Sequence, residues 1–588
     1  MTQERSATAA AAGDEARAGT NTPPRDAQPW LQARQRALGA WLVRERLDIA
    51  IVVALTLTAA ALRLPALGSV PLGLHGDEAW TGLDARRILD EGWIGPYVFS
   101  ALGQPTGPLY FTALVFSIFG DSAASIRLSM ALLGVATIPL TFMAFSLMFN
   151  RTTAAFAAFI LLGMTWHLHL SRMGFMVISW PLAEMAVLWL LWLAFRREST
   201  WLYGLAGLLC GLGLYSYNAY PLFLPLPALA LIWMFFRQAP EGRRRHLAAC
   251  AVFAGAALIA AAPLIAYVTD HWWEYRYHQR VVSVFESPAW EEGGAVDRAG
   301  LLWDRARDWH RGLFFGGVVD YGDGLSTPGH PPVGPVIWLL AVVGLVMTAW
   351  RARRLEYALA LAAAVLFPLG ALLTVDYGMY RRTLGLAPFV ALLAALPLAW
   401  LFGRLRERPG RARDAAFALL ALPLAAGAAA SCEYFGATQD RREVQFVMVQ
   451  ELEAASRYMD TLPEGTPVYF YSGRWFLRYE TRRYLAPDVE GYDITGATVP
   501  APGQVIPYEV YTDGPAAFVF LFPFVPFDES DPNFYYLWPY PTIDGHARSL
   551  MRALEEVQTR YPGGEVTEHV EHDRVFFRAY YLNAASAR

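Results

Sequence analysis

The sequence contains no lysine, and all 48 of its basic residues are arginine. Chemistry that depends on a lysine amine, such as Schiff-base formation, is therefore excluded. The three cysteines, Cys210, Cys250 and Cys432, are too few and too scattered for a disulfide framework or a thiolate metal site. Charged residues are also scarce, at 17%, whereas soluble domains carry about 25%. These absences argue against a soluble enzyme, a disordered scaffold and a nucleic-acid-binding protein.

Long apolar segments are abundant, and hydrophobic residues make up 55% of the 588 positions. A helix that crosses a membrane needs about 20 consecutive, predominantly apolar residues. The sequence therefore predicts a polytopic α-helical membrane protein with about eleven transmembrane helices. The predicted spans are 48–66, 123–149, 152–170, 176–195, 201–217, 219–236, 246–269, 334–350, 355–375, 382–403 and 412–431.

Arginine runs between these spans predict the orientation of the chain, because arginine collects in cytoplasmic loops. Runs within 237–245, 351–354 and 404–413 mark three inner loops. The number of spans between these loops agrees with their assigned sides only if the apolar run 105–120 does not cross the bilayer. We interpret that run as a juxtamembrane or re-entrant helix on the outer side.

The resulting organisation has three parts, with the N-terminus in the cytoplasm. Residues 1–47 lack apolar periodicity and predict a flexible cytoplasmic tail. Residues 48–431 form the transmembrane domain, from which two long outer loops emerge, 67–122 and 270–333. Residues 432–588 carry 23 Asp and Glu against 13 Arg, a net charge of −10. We expect this last part to be an extracytoplasmic domain on the outer face of the cytoplasmic (inner) membrane.

The apolar patterns of the C-terminal part predict a small α/β domain. Helical spacing of apolar residues covers 443–461, and a second helical pattern covers 545–560. Short apolar runs at 468–471 and 517–522 predict buried strands, and 573–582 predicts a closing strand.

The sharpest local feature lies in the first outer loop, where Gly73–Trp80 reads GLHGDEAW. Asp77 and Glu78 are expected to open an amphipathic helix that Gly92 ends. Acidic residues in a first helical turn have a structural use, since capping and the helix dipole favour them by about 0.5–2 kcal/mol. The functional alternative is a general base within hydrogen-bonding reach of an acceptor hydroxyl. The local sequence alone leaves both interpretations open.

The order of several short motifs resembles that of the GT-C superfamily of polytopic glycosyltransferases. The resemblance covers roughly 48–430 and is closest to protein O-mannosyltransferase-like and aminoarabinose-transferase-like membrane enzymes. No single motif is specific for this superfamily, whereas the order of the motifs together with the topology is fairly specific for it. After the acidic pair come Pro108–Tyr110 (PLY), Phe119–Arg127 (FGDSAASIR), His167–Arg172 (HLHLSR) and Gly211–Tyr217 (GLGLYSY).

The resemblance implies the activity of the chain and the roles of several residues. Members of the superfamily take a polyprenyl-phosphate-linked sugar as donor and act on the outer side of the membrane. By resemblance, Asp77 is the base, with Glu78 and His75 as the residues that orient it. The family often has a further Asp after the Arg of its second outer loop, but Arg172 is followed here by MGFMVISWP. Whether a divalent metal takes part therefore stays open.

Outer-side arginines are the candidates for binding the phosphate of the donor, because guanidinium groups make charge-assisted, often bidentate contacts to phosphate. Arg381 and Arg382 stand out, since the positive-inside bias would not place them outside. Arg172 and Arg280 are further candidates. The alternative for each is that the side chain extends to lipid headgroups at the interface.

Three further histidines and one acid lie in apolar or aromatic surroundings. His167 and His169 are two residues apart and lie on different helix faces, which suits a pocket or headgroup role better than a shared metal. His278 lies in an aromatic stretch that we interpret mainly as an interfacial anchor. Glu184, inside an apolar span, is expected to be paired with an arginine.

The predicted function is transfer of a sugar from a polyprenyl-phosphate donor to a hydroxyl on a glycan, lipid or protein acceptor. Membrane lipids are the expected surroundings, and no nucleic acid is expected as partner. A lipid-linked-sugar flippase is the alternative, but transporters tend to contain paired repeats, which the sequence lacks. A third interpretation, a membrane anchor for the C-terminal domain, does not explain the many spans.

Overall fold

The computed structural model describes residues 46–316, 331–375, 380–439, 444–445, 448–472, 475–494, 514–522 and 543–583. The chain divides into two compact units, Met1–Ile51 and Val52–Arg588. In the first unit the described residues, 46–51, are helical. The predicted cytoplasmic tail therefore falls almost entirely outside the described residues, and it stays a prediction.

The second unit is mostly helical up to residue 435, and its helices are numbered here in chain order. They are α1 (52–63), α2 (Gly76–Glu91), α3 (Gly107–Phe119), α4 (Ala123–Met148), α5 (Arg151–Gly163), α6 (Thr165–Arg172), α7 (Ser179–Arg197), α8 (Thr200–Leu212), α9 (Pro225–Arg237), α10 (Pro240–Asp270), α11 (Trp272–Val282), α12 (Pro288–Glu291), α13 (Ala295–Phe315), α14 (Pro335–Trp350), α15 (Leu355–Leu366), α16 (Leu369–Leu372), α17 (Leu386–Arg406) and α18 (Arg411–Phe435). Between α2 and α3, the short strands β1 (Tyr97–Val98) and β2 (Gln104–Pro105) pair antiparallel.

Six helical segments of the described residues are long and apolar enough to cross a membrane, or seven if one bent pair is counted as a span. The six are Ala123–Met148, Met176–Arg197, Tyr220–Arg237, Pro240–Asp270, Leu355–Leu372 and Leu386–Arg406. The chain is therefore a multi-pass membrane protein. The other predicted spans fall on α1, α8, α14 and α18, which are not among these segments, so the count of eleven stays a prediction. The run 105–120 forms the short helix α3.

The predicted span 152–170 is broken in the structure. It consists of α5 and α6, which meet at an angle of 57°. At the break, the backbone N–H of Trp166 donates to the carbonyl of Pro332 at 3.0 Å, outside its own helix. Gly163 permits the close approach of α18 there, since an added Cβ would lie 2.3 Å from the Cα of Gly427.

The C-terminal part contains a five-stranded sheet and three helices among its described residues. These elements are α19 (Gln450–Asp460), β3 (Val468–Tyr471), α20 (Glu480–Leu485), β4 (Gly491–Asp493), β5 (Ala516–Leu521), α21 (Ile543–Arg560), β6 (Glu565–Glu571) and β7 (Arg574–Leu582). The strand order is β4-β3-β5-β7-β6, with β3 parallel to both neighbours and β7 antiparallel to both of its own. The predicted strands are confirmed to within a residue or two, whereas β4, β6 and α20 were not predicted.

Helix α20 docks on α2 and connects the C-terminal part to the first outer loop. The hydroxyl of Thr481 donates to the carbonyl of Leu74 at 2.9 Å, and Arg86 donates to the carbonyl of Tyr484 at 2.9 Å. The guanidinium of Arg86 also lies 4.0 Å from the centre of the Tyr484 ring. These contacts fix α20 against α2.

Candidate active site

The start of α2 is fixed by a reciprocal capping arrangement. The side chain of His75 accepts the backbone N–H of Asp77 at 3.1 Å, while Glu78 accepts the backbone N–H of His75 at 3.1 Å. Such a capping box satisfies two otherwise unpaired donors of the first turn. Gly73, with φ +81°, permits the turn that precedes it, where an added Cβ would lie 2.0 Å from the carbonyl oxygen of Met448. As predicted, α2 ends before Gly92.

Glu78 is fully buried and serves as the anchor of this turn. Its carboxylate accepts two hydrogen bonds from Arg127, at 2.8 and 3.1 Å, and one from the backbone N–H of Gly174 at 2.8 Å. Burial would raise the pKa of Glu78, but the charge and hydrogen bonds of Arg127, together with the backbone hydrogen bonds from Gly174 and His75, hold the pKa below its usual value. Arg127 also donates to the carbonyls of Leu67 and Pro71, so a single guanidinium holds both the acid and the preceding loop.

Asp77 points the other way, into a cavity, and pairs with an arginine from a distant segment. Its Oδ2 accepts a hydrogen bond from Nη1 of Arg381 at 2.8 Å, across 304 positions of sequence. The Asp77 side chain is 34% exposed and that of Arg381 is 15% exposed. Burial would raise the pKa of Asp77, whereas the charges of Arg381 and then His75 lower it, and the net pKa lies below the ordinary 3.8. Asp77 is therefore ionised at neutral pH.

The cavity has a volume of about 1040 Å³ and receives charged side chains from four separate parts of the chain. The carboxylates and histidine that line it are Asp77, Asp84, Glu480 and His278, and the guanidinium groups are those of Arg87, Arg381, Arg382 and Arg483. Along α2, the lining residues recur at the spacing of one helical face. A cavity with an ionised acid and several guanidinium groups can accept a proton and bind an anion side by side.

His278 of α11 lines the cavity close enough to Arg381 and Arg382 to be affected by their charges. Burial, followed by the charges of Arg382 and Arg381, lowers the pKa of His278 to about 4. The imidazole is therefore neutral at physiological pH and adds no positive charge there. It can accept or donate a hydrogen bond without competing for the negative charge of a ligand.

The C-terminal part contributes α20 to the wall of the cavity. Glu480 and Arg483 both line it, and the guanidinium of Arg483 lies 5.1 Å from the centre of the Trp80 ring. Burial raises the pKa of Glu480, although the charge of Arg483 partly offsets this. Asp77 and Glu480 therefore differ in the direction of their pKa shifts.

Six of the sequence-predicted residues are not among the described residues that line the cavity. His75 and Glu78 shape the turn that carries Asp77, and the other four lie elsewhere. Arg172 donates to the carbonyls of Arg63 and Pro65 at 2.9 and 2.7 Å, and so holds the chain after α1. The other three make their contacts as follows: His167 to Arg63 at 3.1 Å, His169 to the hydroxyl of Tyr434 at 3.1 Å, and Arg280 to Glu286 at 3.7 Å. Both histidines are buried, and Arg280 is exposed.

Several lining residues were not proposed as site residues from the sequence: Asp84, Gln104, His278, Glu480 and Arg483. Asp84 stands seven positions after Asp77, a spacing that places two residues on one helix face. That signal was present in the sequence. No local signal connects Glu480 or Arg483 to the first outer loop, because their position depends on the docking of α20.

Glu184 is fully buried in α7, as expected for an acid in an apolar span. No salt bridge between Glu184 and an arginine occurs among the described residues, and both carboxylate oxygens lack a hydrogen-bond partner there. The expected arginine partner is therefore not found within that part of the chain. Likewise, the described residues contain no group of three or more His, Cys, Asp and Glu side chains placed to hold a metal ion.

Comparison with known proteins agrees with the resemblance of the sequence. Residues 103–267, from the loop before α3 to nearly the end of α10, match the family profile of dolichyl-phosphate-mannose-protein mannosyltransferases. The match covers less than a third of the chain. Direct comparison with curated proteins finds no match.

Structural comparison aligns two solved structures with most of the chain, both with TM-scores below 0.5. ArnT from Cupriavidus metallidurans, solved with bound undecaprenyl phosphate, is 15% identical with a TM-score of 0.46, covering 93% of this chain and 99% of ArnT. The oligosaccharyltransferase AglB from Archaeoglobus fulgidus, in complex with an inhibitory peptide and a dolichol-phosphate, is 15% identical with a TM-score of 0.49. That likeness covers 92% of this chain and 75% of AglB. At such identity, residue roles do not transfer from one protein to the other.

Proposed function

We propose that the chain is an integral-membrane glycosyltransferase that moves a sugar from a polyprenyl-phosphate-linked donor to a hydroxyl acceptor. The observation that carries the proposal is the pairing of Asp77 with Arg381 at 2.8 Å on the wall of one large cavity. A flippase needs a path across the membrane, whereas this pair unites a base and an anion-binding group at one place. The match of residues 103–267 to a mannosyltransferase family supports the same conclusion.

In the proposed reaction, Asp77 accepts the proton of the acceptor hydroxyl. The oxygen of that hydroxyl attacks the anomeric carbon of the donor sugar. The bond between that carbon and the phosphate oxygen breaks, and polyprenyl phosphate leaves with the electron pair. Arg381 and Arg382 stabilise the charge that develops on the phosphate through charge-assisted hydrogen bonds. A single displacement of this kind inverts the anomeric configuration.

The pairing of Asp77 with Arg381 also provides an order of events. The guanidinium of Arg381 helps to hold the pKa of Asp77 low, which makes the carboxylate a weak base. When a donor phosphate binds Arg381, the guanidinium stabilises the ionised carboxylate of Asp77 less. Because burial opposes the ionised form, the basicity of Asp77 then rises when the donor is in place.

We propose the orientation derived from the sequence: eleven spans, the N-terminus in the cytoplasm, and the C-terminal domain outside the inner membrane. Two sets of contacts support it. The segments assigned to the outer side, which carry Asp77, His278, Arg381 and Glu480, all line one cavity. The segments assigned to the inner side also meet, since Arg245 pairs with Glu198 at 2.8 Å and Arg237 donates to the carbonyl of Arg353 at 3.5 Å. Residues 432–588, by this proposal, form the domain that closes the cavity through α20.

Transfer in detergent tests the proposal, with purified protein and a panel of undecaprenyl-phosphate-linked hexoses and pentoses. Membrane extracts supply acceptors, and the release of undecaprenyl phosphate is measured with the glycosylated product. Replacing Arg381→Gln is expected to raise the KM for the donor about tenfold or more, because a hydrogen bond to a charged group contributes about 1.5–3 kcal/mol. The matched control is Arg280→Gln, an exposed arginine outside the cavity, which should leave the KM unchanged.

The pH profile of Arg381→Gln distinguishes a role of Arg381 in phosphate binding from a purely structural role. In the wild type, the acid limb of kcat/KM should lie below pH 3.8, because the free enzyme holds the pKa of Asp77 below that value. The base is lost as pH falls through this lowered pKa. Without Arg381, the largest contribution that offsets burial is lost, so the pKa of Asp77 rises and the acid limb should move to higher pH. Unchanged donor KM and an unchanged acid limb in Arg381→Gln would contradict the assigned role.

A further inference from the structure

A second polar cluster lines the cavity two helical turns beyond Asp77. Asp84 is 5% exposed, and its Oδ2 accepts hydrogen bonds from the hydroxyl of Ser100 and from Nε2 of Gln104 at 3.3 Å. Gln104 also donates from Nε2 to the hydroxyl of Ser100 at 3.1 Å. All three residues line the cavity.

These contacts leave two acceptor oxygens available at the cavity wall. Both hydrogen bonds to Asp84 end on Oδ2, so its Oδ1 has no hydrogen-bond partner among the described residues. Both hydrogen bonds of the Gln104 side chain leave from Nε2, so its Oε1 likewise has none in that part of the chain. Both atoms belong to nearly buried side chains on the cavity wall, so they are open to a ligand in the cavity that donates hydrogen bonds.

The loop that carries Ser100 and Gln104 is held in an uncommon conformation. Ala101, Leu102 and Gly103 have φ values of 50°, 67° and 112°, in the left-handed region that side chains other than glycine rarely adopt. The amide of Asn218 donates to the carbonyl of Gly103 at 2.9 Å and supports the loop from outside. Strain of this kind persists where the surrounding structure fixes it, and it is concentrated at binding sites.

The charge around the cluster selects the class of ligand. Arg87 and Arg483 line the same part of the wall and act on the Asp84 carboxylate. Their positive charge disfavours an ammonium group, while the carboxylate disfavours an anion. A neutral ligand with adjacent hydroxyl groups satisfies both conditions, since its hydroxyls donate to the two free oxygens and accept from the guanidinium groups.

We propose that Asp84, Ser100 and Gln104 form a subsite for a neutral sugar ring. Asp84 lies seven residues after Asp77, which is about 10 Å along the helix at 1.5 Å per residue. The subsite therefore lies in the same cavity as the Asp77–Arg381 pair without overlapping it. The inference rests on the proposed function insofar as the ring belongs to one of the two substrates, the donor sugar or a sugar of the acceptor.

Binding of a simple glycoside tests the subsite without turnover. Saturation-transfer NMR of the full-length protein in detergent, with methyl α-mannoside and methyl β-glucoside as probes, should show contact with the wild type. Asp84→Ala should weaken binding about tenfold or more, because a hydrogen bond to a charged acceptor is lost. Asp77→Asn and the control Asp90→Asn, on the exposed end of the same helix, should retain it. Gln104→Met is the second variant, with a weaker effect in the same direction, and thermal unfolding identifies any variant that fails to fold.

Competition between the glycoside probe and lipid-linked compounds shows whether the sugar ring at the subsite belongs to the donor or to the acceptor. Displacement of the probe by undecaprenyl-phosphate-linked mannose, but not by undecaprenyl phosphate, assigns the subsite to the donor; no displacement by either assigns it to the acceptor. Folded Asp84→Ala and Gln104→Met proteins that bind the glycosides like the wild type would overturn the subsite, even if Asp77→Asn abolishes transfer. Conversely, glycoside binding that depends on Asp84 in a protein without transfer activity would retain the subsite and reject the proposed function.

Discussion

Replacing Asp77→Asn is expected to lower the rate of sugar transfer by about 10²–10⁴-fold, the usual contribution of a general base. Asparagine has nearly the same shape and can keep a contact with Arg381, but its amide cannot accept the proton of the acceptor hydroxyl. The loss should appear in kcat rather than in the donor KM, since phosphate binding belongs to Arg381 and Arg382. Transfer from an undecaprenyl-phosphate-linked sugar measures both constants.

Asp90→Asn is the matched control for this substitution. Asp90 lies on the same helix, is exposed, and does not line the cavity. It should transfer sugar at the wild-type rate. A folded Asp77→Asn protein with wild-type kcat would remove Asp77 from the role of base.

Replacing Glu78→Gln is expected to destabilise the fold by about 3–5 kcal/mol, because it leaves the Arg127 charge buried without its partner. Both side chains are almost fully buried, and the carboxylate accepts two hydrogen bonds from the guanidinium. Loss of the anchor should also loosen the turn that positions Asp77. Thermal unfolding in detergent should therefore show a large decrease of Tm, with a decrease of activity that follows the folded fraction.

The neighbouring pair Arg87–Glu91 on α2 supplies the control for Glu78. Its side chains are 49% and 57% exposed and 2.9 Å apart. Exposed pairs of this kind contribute only about 0–1 kcal/mol. Glu91→Gln should therefore leave Tm nearly unchanged. Equal Tm values for Glu78→Gln and Glu91→Gln would show that the buried pair does not anchor the turn.

Local patterns allowed much of the secondary structure to be predicted. The start of α2 at the acidic pair, its end before Gly92, the strand 468–471 and the short helix within 105–120 all follow from capping residues, apolar periodicity and length. The break between α5 and α6 could not be predicted in this way. It depends on the approach of α18 at Gly163 and on a backbone hydrogen bond to Pro332, both of which are distant in sequence.

The candidate site could be predicted only in part, for a related reason. Asp77 and Arg381 were each selected for their chemistry and their side of the membrane, but their pairing is a contact across 304 positions. Arg172 satisfied the same criteria, yet its guanidinium holds backbone carbonyls after α1. The sequence shows which arginines are available, whereas packing decides which of them faces a cavity. Glu480 and Arg483 reach the cavity through the docking of α20, which no local pattern records.

The central claim is that Asp77 and Arg381 face each other in a cavity on the outer side of the membrane. Its most direct test is cysteine labelling in a variant without the three native cysteines. Glu91→Cys, exposed on the same helix as Asp77, should react with a membrane-impermeant maleimide in intact spheroplasts. Arg244→Cys, in a predicted inner loop, should react only after the membrane is permeabilised. The reverse pattern would place the acid in the cytoplasm and contradict the account.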